Sequence, residues 1–156
     1  MDDRGHGRSD KPHDPEAYGP KMVEDVVNLL DHLKLEQVDY VGYSMGSQIG
    51  LRLLVAHPDR IRRAVAGGIG LNFTTAWRAN EAVSRRLRVH VTDESAASLM
   101  FSHFAVAFPA YYLYALSCCI IRRRTPLTSY QLSAIPSRVL LPHLRPDPIA
   151  RPLRAL

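Results

Sequence analysis

The chain has 156 residues, a formal net charge of +5 and 46% hydrophobic residues. That is one domain's worth of chain with enough apolar content for a core. The two cysteines, Cys118 and Cys119, are sequence neighbours in an apolar run. Adjacent cysteines do not bridge each other easily, so a disulfide scaffold is excluded and buried structural thiols are expected. The basic excess is mostly arginine spread through the second half. It comes without zinc-finger spacing or a helix-turn-helix pattern, so a solvated basic face is expected and no nucleic-acid partner.

Residues 1–20 are rich in Gly, Pro, Asp and Ser and show no period, which predicts a loop. Residues 21–34 predict an amphipathic helix, with Val23, Val26, Val27, Leu30 and Leu33 at helical spacing and Pro20 suited to the first turn. Residues 38–43 predict a short apolar strand. Met45 to His57 predict a second helix with Ile49, Leu53 and Leu54 inward, ended by Pro58. Gly50 inside it costs about 1 kcal/mol and points to close packing. Residues 62–69 predict another strand. Strand, helix and strand with short connections make a parallel α/β arrangement.

Further on, residues 75–90 suggest an arginine-rich helix, 128–135 a short helix capped by Thr128, and Val139 to Leu141 a last strand. The tail after it alternates Pro and Arg and has no packed pattern. Ala96 to Ile121 contains no Asp, Glu, Lys or Arg and is followed by Arg122-Arg123-Arg124. It is long enough for a membrane span, which needs about 20 residues, so membrane contact through 96–121 is one reading. Packed helices are the preferred one. A frame-altered segment is the third. Residues 1–17 are polar and charged, without a secretory signal, so a cytoplasmic location is expected.

The chemistry is concentrated at Gly42-Tyr43-Ser44-Met45-Gly46, a G-x-S-x-G run between the strand and the second helix. A sharp strand-to-helix turn lifts a serine clear of the backbone, and the helix start places N–H groups beside a developing oxyanion. Gly42 and Gly46 are expected to let chain segments approach without a Cβ clash. Ser44 is then the candidate nucleophile and the Met45 N–H an oxyanion donor.

Several pieces in order resemble the α/β-hydrolase superfamily of serine esterases and related enzymes. Asp3-Arg4-Gly5-His6-Gly7-Arg8-Ser9 is similar to that family's loop after its fourth strand. Met22 to Leu33 resembles the helix before the nucleophile strand, and Gly42 to Gly46 the elbow itself. His57-Pro58-Asp59-Arg60 resembles the end of the following helix, and Ala66-Gly67-Gly68 the end of the next strand. The resemblance implies a partial α/β-hydrolase fold: a parallel sheet flanked by helices, with a helical cap-like segment. It divides the chain into a core portion carrying the elbow (1–92), the cap-like segment (93–125) and a late-strand region with tail (126–156). It implies acyl transfer to Ser44 from a small-molecule ester or similar acyl or carbonyl substrate, with no cofactor; no His/Asp/Glu cluster in the sequence shows ligand spacing, so no metal is expected. By the same resemblance Asp147, after the last strand, is the triad acid.

Three departures accompany the resemblance. The family's early strands and first oxyanion loop have no counterpart in the chain. No histidine follows Asp147, where the family places its base. None of the seven histidines (His6, His13, His32, His57, His90, His103 and His143) matches the base position. The expectation is therefore a truncated or altered version of a longer enzyme. The competing readings are a non-catalytic remnant of the same family and a membrane-anchored protein.

Overall fold

In chain order the elements are α1 (Pro20–His32), β1 (Val38–Tyr43), α2 (Met45–Ala56), β2 (Ile61–Gly67), α3 (Ala110–Ile121), α4 (Ser129–Ser133) and β3 (Val139–Leu140). Short 3-10 turns lie at Pro15–Ala17 and Pro58–Arg60. The computed structural model describes residues 1–69, 81, 83–85, 87–88, 110–121, 127–135 and 139–140. The chain groups into two compact units. One holds Met1–Met22 with Ala76–Arg124, and the other Val23–Thr75 with Thr125–Leu156.

The second unit carries a parallel sheet in the order β1-β2-β3. β1 matches the expected strand 38–43. β2 begins one residue earlier than expected and ends at Gly67, because Gly68 turns away at φ 62°. β3 covers the first two residues of the predicted Val139 to Leu141 strand, and Leu141 lies outside the described residues.

α2 packs on β1 and β2. Ile49, Leu53 and Leu54 are buried, as their spacing predicted. Tyr40, on β1, lays its ring against Gly50, so a Cβ there would collide with it. This close approach is the packing reason for a glycine inside the helix. α2 ends at Ala56, one residue short of the prediction. His57 has left helical geometry at φ −139° and ψ 62°, as a residue before proline tends to.

α1 keeps Val23, Val26 and Leu30 buried and stops at His32. Lys34 adopts φ 55°, and the Leu35 N–H reaches back to the Leu30 carbonyl at 2.9 Å. That is a Schellman-type stop with lysine where glycine is commoner. Arg60 then fastens the loops that precede the two strands. Its guanidinium donates to Asp31 Oδ1 at 2.8 Å and to the carbonyls of Leu35 and Glu36 at 3.0 Å each. α4 is shorter than predicted but carries the expected cap. Thr128 Oγ1 accepts from the Gln131 N–H while Gln131 Oε1 accepts from the Thr128 N–H.

Apart from the short 3-10 turn at Pro15–Ala17, the opening loop in the first unit is ordered by individual hydrogen bonds. The Gly5 N–H donates to the Asp10 carbonyl at 2.7 Å, Arg4 to the Ala17 carbonyl at 2.7 Å, and Tyr18 Oη to the Pro12 carbonyl at 2.7 Å. α3 is apolar all round and largely buried, the mark of a core helix. Leu113 and Leu116 cluster with Val83 and Leu87, which belong to a helical stretch within the expected 75–90 segment. Cys118 and Cys119 are free and buried, and burial pushes the Cys118 thiol up from its usual 9.0. Among the described residues no helix is long and apolar enough to cross a membrane. Within the 96–121 run, α3 accounts for twelve residues, and 96–109 lie outside the described residues.

Candidate active site at the strand-to-helix elbow

The elbow joins the end of β1 to the start of α2 through one residue. Ser44 sits there with φ 50° and ψ −108°, a conformation that L-residues rarely adopt. Such backbone strain costs about 1–3 kcal/mol and persists only where surrounding contacts over-determine it. Five contacts do so. The Ser44 N–H donates to the Gly67 carbonyl at 2.9 Å, at the end of β2. The Ser44 carbonyl accepts the N–H of Gln48 at 3.2 Å, opening α2. Tyr40 Oη donates to the Gly46 carbonyl at 2.7 Å. Ser47 Oγ lies 2.8 Å from the Gly42 carbonyl and 2.7 Å from that of Gly67.

The glycines flanking Ser44 are not equivalent. A Cβ on Gly42 would stand 2.6 Å from the Gly46 carbonyl carbon and 2.7 Å from the Ser47 nitrogen, both backbone atoms. Gly42 is therefore required by the tightness of the turn. A Cβ on Gly46 would meet nothing within 4 Å. The expectation that both glycines relieve a clash holds for Gly42 and is corrected for Gly46. Gly46 contributes its carbonyl, as the acceptor for Tyr40.

The result is a serine exposed at the carboxyl end of a parallel strand. Met45 opens α2 and puts its N–H in the first turn, at the positive end of the helix. Ser44, Met45, Gly42 and Gly46 thus stand together. Asp147 lies outside the described residues, as do His90, His103 and His143. Among the described residues no histidine is hydrogen-bonded to Ser44. His6 contacts the Arg4 carbonyl at 3.2 Å, and His13 stacks at a tilt on Tyr114, both in the first unit. His57 ends α2. No cluster that could hold a metal ion occurs among the described residues.

Sequence reasoning missed Ser47 and Tyr40. Tyr40 falls within the expected strand 38–43 and Ser47 within the expected helix Met45 to His57, and neither carries a site signal of its own. The only signal was a serine three residues past Ser44, a spacing that brings the first helical turn back beneath the elbow.

The family model of the alpha/beta hydrolase fold matches residues 1–133. The chain is 38% identical over 80 residues to the 2-hydroxymuconate semialdehyde hydrolase of Pseudomonas putida, covering 47% of this chain and 28% of that protein. It is 30% identical over 103 residues to 3-oxoadipate enol-lactonase 2 of Acinetobacter baylyi, covering 65% and 38%. Among solved structures it resembles MGS-M2, an alpha/beta hydrolase enzyme from a deep-sea metagenome library of the Medee basin. That match has a TM-score of 0.61 at 18% identity and covers 90% of this chain and 58% of the other. The chain therefore spans between a quarter and two fifths of the length of these curated relatives. A strand-turn-helix elbow on a parallel sheet and a family match over most of its length lead to one conclusion: this chain belongs to the alpha/beta hydrolase fold family.

Proposed function

We propose that the chain carries the nucleophile of a serine hydrolase acting on a small-molecule ester, lactone or similar acyl substrate. The observation that carries this reading is the strained, exposed Ser44 at the head of α2. In this reading Ser44 Oγ attacks the carbonyl carbon as a base takes its proton. The carbonyl oxygen becomes an oxyanion and accepts a hydrogen bond from the Met45 N–H. Collapse expels the leaving alcohol and leaves an acyl-serine, which water then hydrolyses. Asp147 is the acid proposed to orient the base, on its position after β3. The curated relatives support the substrate class, since one is named as a lactonase and another as a hydrolase of a semialdehyde.

A fluorophosphonate probe on the purified chain tests the reading. Covalent labelling at Ser44, lost in Ser44→Ala, is the expected result. Absence of labelling under conditions where a full-length relative labels would favour the non-catalytic remnant.

A further inference from the structure

The geometry points to Ser47 as a positioning residue that holds the elbow in its reactive shape. The inference rests on the assignment of Ser44 as nucleophile. Ser47 is fully buried, so its hydroxyl has given up water and is satisfied by protein alone. It lies at hydrogen-bond distance from two carbonyls, Gly42 at 2.8 Å and Gly67 at 2.7 Å, and its one proton is shared between them.

Those carbonyls are the two that matter to Ser44. Gly42 lies two residues before it on β1. Gly67 is the acceptor for the Ser44 N–H on β2. One hydroxyl on α2 thus ties the helix to both strands, on either side of the strained residue. Glycine or alanine would fit the space and leave both carbonyls without this donor. The turn would then relax toward ordinary backbone angles, carrying Ser44 Oγ and the Met45 N–H out of register with each other. A misplacement of about 1 Å at a reacting centre costs about a hundredfold in rate.

The experiment compares Ser47→Ala, Ser47→Cys and Ser47→Thr with the unmodified chain. Three quantities are read: the second-order rate of Ser44 phosphonylation by a fluorophosphonate, amide hydrogen exchange at Ser44 and Met45, and Tm. Ser47→Ala is expected to label about ten- to a hundredfold more slowly, with faster exchange at both amides. Ser47→Thr restores the hydroxyl and is expected to recover most of the rate. Ser47→Cys keeps the shape with a weaker donor and falls between them, and it replaces Ser47→Ala if that variant does not fold. Labelling of a folded Ser47→Ala at the unmodified rate overturns the proposal. So does a folded Ser47→Thr that labels no faster than Ser47→Ala, since shape alone would then be what matters. If the unmodified chain does not label, the nucleophile assignment fails. Exchange at Ser44 then decides separately whether Ser47 holds the elbow: acceleration in Ser47→Ala supports it and no change overturns it.

Discussion

Ser47 on α2 and Ser117 on α3 are both fully buried serines on helices, yet they are satisfied differently. Ser117 Oγ donates to the Tyr114 carbonyl of its own helix at 2.6 Å and accepts from Arg88 Nε at 3.1 Å. Ser47 Oγ reaches past its own helix to the ends of two strands. In the first case the hydroxyl donates within its own helix and accepts from one other segment, at ordinary helical backbone. In the second, the hydroxyl joins three chain segments at the point where the backbone is strained. Equal burial therefore does not mean equal consequence. What counts is how many independent segments a buried polar group ties together, and how close they lie to the reacting atom.

The sharpest break in this comparison is at Ser44 itself. Ser44→Ala is expected to abolish any esterase turnover together with Ser44 labelling, read by ester hydrolysis and the fluorophosphonate probe. Ser44→Gly is expected to be equally inactive but more stable by about 1 kcal/mol, because glycine tolerates φ 50° without strain. A chemical melt of the two variants reads the difference, and equal stability would mean the elbow stores no strain. Gly42→Ala comes next, since its Cβ must displace backbone rather than a movable side chain. A loss of about 2–3 kcal/mol with loss of Ser44 labelling is expected.

Ser117→Ala is the counterpart to the Ser47 series. It is expected to cost about 1 kcal/mol by thermal melting and to leave Ser44 labelling unchanged. A labelling defect there would erase the distinction between the two serines. The smallest effect is expected at the Asp39–Arg62 pair, where both side chains are exposed and the closest approach is 2.8 Å. Hydrogen bonds from Arg62 hold the Asp39 carboxyl below its usual 3.8. The pair's stabilisation is thus present above that value and is lost as pH falls through the lower folded one. Exposure and salt screening make it small, so Asp39→Asn is expected to leave Tm unchanged at neutral pH in 0.15 M salt.

Much of the second unit was legible in the sequence because its signals are local. The valines and leucines of α1, the proline at position 58 and the apolar run of β1 each act on neighbouring residues, and their elements appear within a residue or two of expectation. Thr128 with Gln131 is equally local and formed its capping box. Gly50 gave away a close contact but not its partner, since the Tyr40 ring arrives from another element. The opening loop had no period to read, because its order comes from side chains reaching distant carbonyls, as Arg4 does to Ala17.

The elbow motif, its place between a strand and a helix, and the choice of Ser44 followed from residue order alone. Chain direction and turn propensity act over a few residues and need no knowledge of the rest. Tertiary structure decided that Gly42 is sterically required while Gly46 is not. It also decided that Ser47 and Tyr40 brace the turn. Both results depend on distances between segments that are separate in the chain, and only the pairing of β1 with β2 under α2 sets those distances.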